Sequence, residues 1–387
     1  MVHFLKTAET LLAGAQPLPG SYYTTLEIFQ VEMERIFSSR WLCLGRVSQL
    51  QAPGDYFLAQ VGAESLIVLS DRAGKPRMYY NVCRHRGSRL CTQERGRFAG
   101  SIQCPYHAWT YDLDGRLIGA PLMETGSNFQ KKAYPLVEAP LVEWEGFLFT
   151  NLAKRPPRFE KAFTTLLGKF SAWGLPDLRC VQRIEYMVRA NWKLIAQNYS
   201  ECYHCPVIHP ELARKSPYRS GQNDLFEGPF LGGYMDLVEE TGSLTMSGRA
   251  CAPPLGSVAG EDLRRVYYYL VFPNLLLSLH PDYAMAHTLW PQDVDLTRVV
   301  CEWYFSPEAE GQPGVNPNDA VEFWDLTNRQ DWEICAQTQL GVGSRAYAPA
   351  LYSGQESLLA AFDQEVLRAL GKLPARSTLK RYQSYGG

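Results

Sequence analysis

Asn81-Val-Cys-Arg-His-Arg-Gly-Ser-Arg-Leu-Cys91 and, further along, Gln103-Cys-Pro-Tyr-His-Ala-Trp109 decide how this chain is read. They hold two Cys-His pairs, Cys83-x-His85 and Cys104-x-x-His107, with eighteen residues between His85 and Cys104. Two thiolates and two imidazoles satisfy a four-coordinate zinc ion. They equally satisfy a [2Fe–2S] cluster with sulfur ligands on one iron and nitrogen ligands on the other. A zinc knuckle usually spaces each pair by about two to four residues, and C-x-H is tighter than that. Gly87 and Pro105 suit tight loop turns, because one permits positive φ and the other fixes φ.

At 387 residues the chain is long enough for two or three domains and a large buried core. Hydrophobic content of 46% and charged content of 20% are ordinary for a globular protein. A formal net charge of −2 gives no electrostatic case for nucleic acid or an anionic membrane as partner. No apolar run approaches the roughly 20 residues that a membrane helix needs. Lys6 and Glu9 break the N-terminal stretch too early for a signal peptide. Of the ten cysteines, the eight outside the two pairs read as small buried hydrophobes with free thiols, and a reducing cytoplasm suits them.

Residues 1–40 carry one amphipathic helix, with Leu26, Phe29, Met33 and Phe37 at near-helical spacing. From Trp41 to residue 153 short β-prone runs alternate with turn signals such as Pro53-Gly54 and Asp114-Gly115. Leu141–Asn151 reads as the last strand there. Lys154-Arg-Pro-Pro-Arg158 is a linker by composition, followed by a helix over 158–173 and a strand over 180–188. Residues 190–204 look helical. Residues 211–263, rich in Gly, Ser and Pro, read mostly as loops covering a pocket. Strands return at 265–272, 275–279, 283–290 and 298–305, and helices over 317–339 and 355–371 close the chain. Gly341 and Gly343 stop the first of them.

A second constellation lies in Asn198-Tyr-Ser-Glu-Cys-Tyr-His-Cys-Pro-Val-Ile-His-Pro210. Glu201 and His204, three apart, share one face of a helix. Pro206 cannot continue that helix, so His209 sits on the break and swings back towards His204. Two imidazoles and one carboxylate make the facial triad of a non-heme iron(II) oxygenase, with positions left open for dioxygen. The carboxylate is either Glu201 or an acid from elsewhere. Asp331 on the penultimate helix is a candidate, with Asp325 and Glu333 in competition. His280 and His287 fall among the strands as core, pocket or edge residues, and His3 is solvated.

C-x-H-R-G followed by C-P-Y-H-x-W resembles the Rieske cluster motif, glycine and proline included. E-x2-H-x4-H and the order of elements resemble the catalytic domain of Rieske non-heme iron oxygenase α subunits. Gln330-Asp331 and Gln339-Leu-Gly341 match that family's later ligand helix. The resemblance covers nearly the whole chain. It implies an α+β protein: a helical segment over 1–40 packed on the catalytic domain, an antiparallel β Rieske domain over 41–153, and a helix-grip catalytic domain over 154–387. It further implies a [2Fe–2S] cluster on Cys83, His85, Cys104 and His107, and a mononuclear Fe(II) on His204, His209 and Asp331. Glu201 is then the acid that joins a cluster histidine to an iron histidine across subunits of a head-to-tail homotrimer. Dioxygen is the co-substrate. No flavin or nicotinamide fingerprint is apparent, so a separate flavin and iron–sulfur reductase, or a ferredoxin, brings electrons from NAD(P)H.

Ring-hydroxylating dioxygenases usually carry Asp at the bridge. Glu201 within N-Y-x-E-C-Y-H-C-P instead resembles the branch that oxidises quaternary ammonium compounds: choline, glycine betaine, carnitine and stachydrine. A cationic ligand wants an aromatic cage. Tyr199, Tyr203, Tyr267, Tyr269, Tyr283 and Trp290 are candidates for it, although aromatics on strands are mostly core. The expectation is an oxygenase acting on a small betaine-like substrate. An aromatic-ring hydroxylase and a non-catalytic Rieske carrier or zinc protein are the alternatives.

Overall fold

Short strands with β-branched and aromatic residues build the first half of the chain, as the alternation requires. The computed structural model describes residues 3–123 and 128–374. Asp55–Val61, Glu64–Ser70 and Pro76–Tyr80 pair antiparallel, with Arg95–Arg97 on the other side of the first. Ser101–Gln103, Thr110–Asp112 and Leu117–Gly119 form a second antiparallel sheet; the loop with Cys83 and His85 follows Pro76–Tyr80 of the first sheet, and the loop with Cys104 and His107 joins Ser101–Gln103 to Thr110–Asp112 of the second. The expected single strand over Leu141–Asn151 is instead a hairpin, Val142–Trp144 and Phe147–Thr150. Its turn is Glu145-Gly146, at φ 50° and 75°. Both central residues are left-handed, as a two-residue hairpin turn demands. Glu in place of the usual Asn or Asp hides the signal.

The second half is organised on one eight-stranded antiparallel sheet. Its order is Leu5–Lys6, Gln222–Phe226, Phe230–Asp236, Arg265–Val271, Leu275–Leu279, Ala284–Asp293, Leu296–Phe305 and Arg179–Val188. Both faces are covered. Tyr283, Leu270 and Leu276 belong to a core shared with the helices, while Leu275, Leu277 and Tyr269 pack on the other side against Phe163 and Phe170. That double coverage explains why Leu275–Leu279 is apolar almost throughout. Each of its fully buried leucines contributes about 2 kcal/mol through burial.

Three expectations are corrected. Only Phe159–Ala162 of the 158–173 segment is α-helical; beyond it the chain runs in turns, with Gly168 at φ 73°, into the short 3-10 helix Ser171–Trp173. The helix expected over 190–204 runs from Trp192 to Tyr199 only, capped by the Asn191 side chain on Lys193 N at 3.1 Å. The 211–263 segment carries the Pro210–Lys215 helix and two sheet strands. Gly232 and Gly233 break the alternation in one of them. A Cβ at Gly233 would stand 1.8 Å from the Gln222 carbonyl oxygen, so the close approach of the neighbouring strand excludes a side chain there. No helix among the described residues is long and apolar enough to cross a membrane.

The N-terminal helix Leu26–Glu32 is tied to the Trp192–Tyr199 helix by an ion pair with no solvent exposure. Lys193 Nζ lies 2.6 Å from Glu32 Oε1, and Trp192 Nε1 donates to Glu32 Oε2 at 2.8 Å. Burial pulls the Lys193 ammonium below its ordinary pKa, and Glu32 opposes that pull. Glu32→Gln leaves Lys193 buried without a counter-charge. It is expected to cost about 3–5 kcal/mol of stability, read as a lower urea midpoint at unchanged slope. An unchanged midpoint would show that this tie carries no weight.

Candidate metal centres

Each cluster loop makes the same turn. Gly87 N donates to Cys83 O and Ala108 N donates to Cys104 O, both at 3.1 Å. Gly87 at φ 74° and Ala108 at φ 56° occupy the left-handed region at matching positions. The turns bring His85 and His107 together with ring centroids 4.7 Å apart, and His85 stacks on Trp109 at 4.8 Å. Cys83 and Cys104 are buried free thiols, and Tyr111 Oη lies 3.4 Å from Cys83 Sγ. The Nδ1 atoms of His85 and His107 are buried and have no hydrogen-bond partner among the described residues. Buried polar atoms are rarely left so. Two thiols and two such nitrogens fit a [2Fe–2S] cluster.

The second centre forms where the Trp192–Tyr199 helix ends. The Glu201 carboxylate accepts from the backbone N–H groups of Tyr203 and His204, which competes with helix continuation. Glu201 and His204 therefore meet across a turn and not along a helix face, which corrects the reading from spacing. His204 heads the short Cys205–Ile208 helix with Pro206 in its first turn. Pro210 holds His209 at ψ 64°, outside the helical region. Asp331 reaches the same point from the Pro317–Val342 helix.

The donor atoms of His204, His209 and Asp331 all lie within 4.8 Å of one another. Asp331 Oδ1 is 3.3 Å from His204 Nε2 and 2.8 Å from His209 Nε2. The other nitrogens are held from behind: His204 Nδ1 by Glu201 Oε1 at 2.5 Å, His209 Nδ1 by Gln330 Oε1 at 2.7 Å. Each Nδ1 donates its proton to oxygen, so both Nε2 lone pairs point to one spot. Burial disfavours the charged form of His204, but without a metal Asp331 and Glu201 outweigh it and lift the pKa to about 10, so the Nε2 proton is the one that a bound metal ion would displace to free the lone pair. Burial would raise the Asp331 carboxyl, yet the two imidazoles hold it below its ordinary value. Two nitrogens and one oxygen on one side of a point fit a mononuclear iron(II) with open positions. Asp325 is engaged elsewhere, by Tyr186 and Arg329, and Glu333 is exposed.

A cavity opens on this trio. Trp324, Thr327, Asn328 and Asp331, at i, i+3, i+4 and i+7, present one helix face to it. Of the six aromatic residues singled out in sequence, Tyr199 alone lines it, its hydroxyl 3.0 Å from Ser278 Oγ. Tyr203 is 53% exposed. Tyr267 and Tyr269 lie on the far face of the sheet, bonded to Asp262 and Asp224. Tyr283 is core, stacked on His280 and bonded to Leu244 O. Trp290 faces the groove beside Arg95 and Arg298. Between Tyr267 and Tyr269, strand alternation turns Tyr268 into the cavity instead. Tyr268, Trp324 and Trp332 were missed; His287, read as a core, pocket or edge residue, lines the cavity, and Gln330, quoted only beside Asp331, supports His209. Helical spacing from Asp331 would have found Trp324; nothing in sequence says which sheet face meets the helices when both are apolar. Cys202 and Cys205, flanking this turn, are joined by a disulfide and are not the free thiols expected.

Comparisons with known proteins place the chain in a family. Residues 175–372 match the family described as ring hydroxylating alpha subunit (catalytic domain), and residues 40–136 match the Rieske [2Fe-2S] domain. The glycine betaine monooxygenase oxygenase subunit of Pseudomonas aeruginosa (strain UCBPP-PA14) is 30% identical, over 92% of this chain and 90% of its own. The carnitine monooxygenase oxygenase subunit of Escherichia coli (strain K12) is 36% identical, over 86% of each chain. Among solved structures, the quaternary ammonium Rieske monooxygenase CntA in complex with L-carnitine superposes with a TM-score of 0.75 at 26% identity. That match covers 94% of this chain and 97% of the other.

Proposed function

The chain belongs to the Rieske-type ring-hydroxylating oxygenase α subunits, and from that premise we propose that it oxidises a quaternary ammonium compound. It is the oxygenase component of a multicomponent system, so a separate reductase supplies its electrons. In this reading Cys83, His85, Cys104 and His107 hold the [2Fe–2S] cluster, and His204, His209 and Asp331 hold the mononuclear iron. When bound, the cluster passes single electrons and the iron activates dioxygen for insertion into a substrate C–H bond.

The protein's own part is to position and to exclude. Glu201 and Gln330 keep the two iron histidines in one tautomer. The aromatic faces of Tyr199, Tyr268, Trp324 and Trp332 line the cavity, and each is worth about 0.5–2 kcal/mol to a trimethylammonium group against it. Glu201 is the bridge to a cluster histidine of a neighbouring subunit in a head-to-tail homotrimer. The functional units are residues 1–40, 41–153 and 154–387, and the compartment is the cytoplasm, where free thiols such as Cys43 and Cys335 persist.

The aromatic cavity opening on the His204, His209 and Asp331 trio carries this reading, and the glycine betaine and carnitine relatives support it. It is tested by product analysis with a surrogate reductase against a panel of betaines and aromatic acids. Oxygen uptake matched by a dealkylated or hydroxylated betaine product is expected. Conversion of aromatic acids alone would assign the protein to ring hydroxylation.

A further inference from the structure

A row of hydrogen bonds behind the cavity fixes where the proton of one buried histidine lies. Arg329 Nε pairs with Asp325 Oδ2 at 2.9 Å, and Asp325 Oδ1 accepts the Tyr186 hydroxyl at 2.7 Å. A phenol has one proton, so the Tyr186 oxygen can then only accept, and it accepts from Asn328 Nδ2 at 3.4 Å. This orients the carboxamide and leaves Asn328 Oδ1 facing His287 Nε2 at 3.1 Å. Turning Asn328 over would set two oxygens together with no proton between them. His287 Nε2 therefore carries the proton. Burial keeps the ring neutral, with a pKa of about 4.

A neutral imidazole protonated at Nε2 has a bare lone pair at Nδ1. His287 is 2% exposed, it lines the cavity, and its Nδ1 has no partner among the described residues. Trp332, its ring 6.0 Å away and nearly perpendicular, lines the same cavity with a buried Nε1–H that is also unpartnered. One unpartnered acceptor and one unpartnered donor thus belong to two residues that line the same cavity as His204, His209 and Asp331.

We propose that His287 and Trp332 read a hydroxyl group on the substrate, which donates to His287 Nδ1 and accepts from Trp332 Nε1. The inference rests on the quaternary ammonium reading. A quaternary nitrogen has no N–H, so in such a compound a hydroxyl is the group that meets both atoms. The enzyme accordingly selects hydroxylated quaternary ammonium compounds over their deoxy analogues. A site with buried polar atoms disfavours the analogue that leaves them unmet.

The test uses the holoenzyme and pairs that differ by one hydroxyl: carnitine against γ-butyrobetaine, choline against ethyltrimethylammonium, and benzyl alcohol against toluene. Kd is read by anaerobic calorimetry, and kcat/KM by product formation with a surrogate reductase. Wild type is expected to favour the hydroxylated quaternary member by about 10–100-fold. His287→Leu is expected to collapse that ratio to within about threefold, and His287→Asn, which returns a carbonyl oxygen near Nδ1, to restore part of it. Equal Kd and kcat/KM within both quaternary pairs overturns the proposal, as does a preference that survives His287→Leu. Binding and discrimination confined to the benzyl alcohol pair would keep the hydroxyl reader and overturn the quaternary ammonium reading. Binding of no pair overturns both.

Discussion

Asp331→Ala is expected to lower the iron content from about three to about two atoms per chain and to abolish product formation. The visible absorption of the cluster should stay at wild-type strength. The physical ground is that Asp331 supplies the carboxylate oxygen of the His204, His209 and Asp331 group, whose donor atoms all lie within 4.8 Å of one another. Without it two imidazoles remain, too few to hold a divalent ion against water. Metal analysis and the absorption spectrum check the outcome together. Asp325→Ala is the control, because Asp325 serves Tyr186 and Arg329. Three irons retained in Asp331→Ala, or iron lost in Asp325→Ala instead, would remove Asp331 from the site.

Glu201→Gln should behave differently, with both metals bound and turnover reduced by about 10–100-fold. The carboxamide keeps the size of the carboxylate and can still accept from His204 Nδ1. It loses the negative charge that Glu201 places 2.5 Å from that ring. In the bridge reading that charge ties the iron histidine to the cluster of the neighbouring subunit. Single-turnover kinetics would separate the two steps: cluster reduction by the reductase is expected to remain fast, while cluster reoxidation in the presence of substrate slows. Full turnover in this variant would sink the bridge assignment.

Much of the chemistry was legible because it depends on local chain geometry. Cys83-x-His85 and Cys104-x-x-His107 are loop motifs whose residues meet through their own turns. His204 and His209 likewise meet through Pro206 and Pro210, which the sequence displays. The helix boundary at Tyr199 was not legible, because it is set by the Glu201 carboxylate bonding to the backbone of Tyr203 and His204. The strands Gln222–Phe226 and Phe230–Asp236 were hidden for a different reason. Gly232 and Gly233 erase the alternation, and they are needed only because neighbouring strands approach so closely.

By itself, then, the sequence determined the family and the α+β architecture, which short-range motifs and element order carry, and it supplied the candidate metal donors, with Asp331 named through the family resemblance. Tertiary structure alone decided which aromatic residues line the cavity with His204, His209 and Asp331. On a sheet buried on both faces, alternation cannot say that Tyr268 looks inward while Tyr267 and Tyr269 look outward. The same holds for His287. Its role depends on where its proton lies, and that is set by Asn328, Tyr186 and Asp325, which come from a helix and a strand distant from it in sequence and meet only in the folded chain.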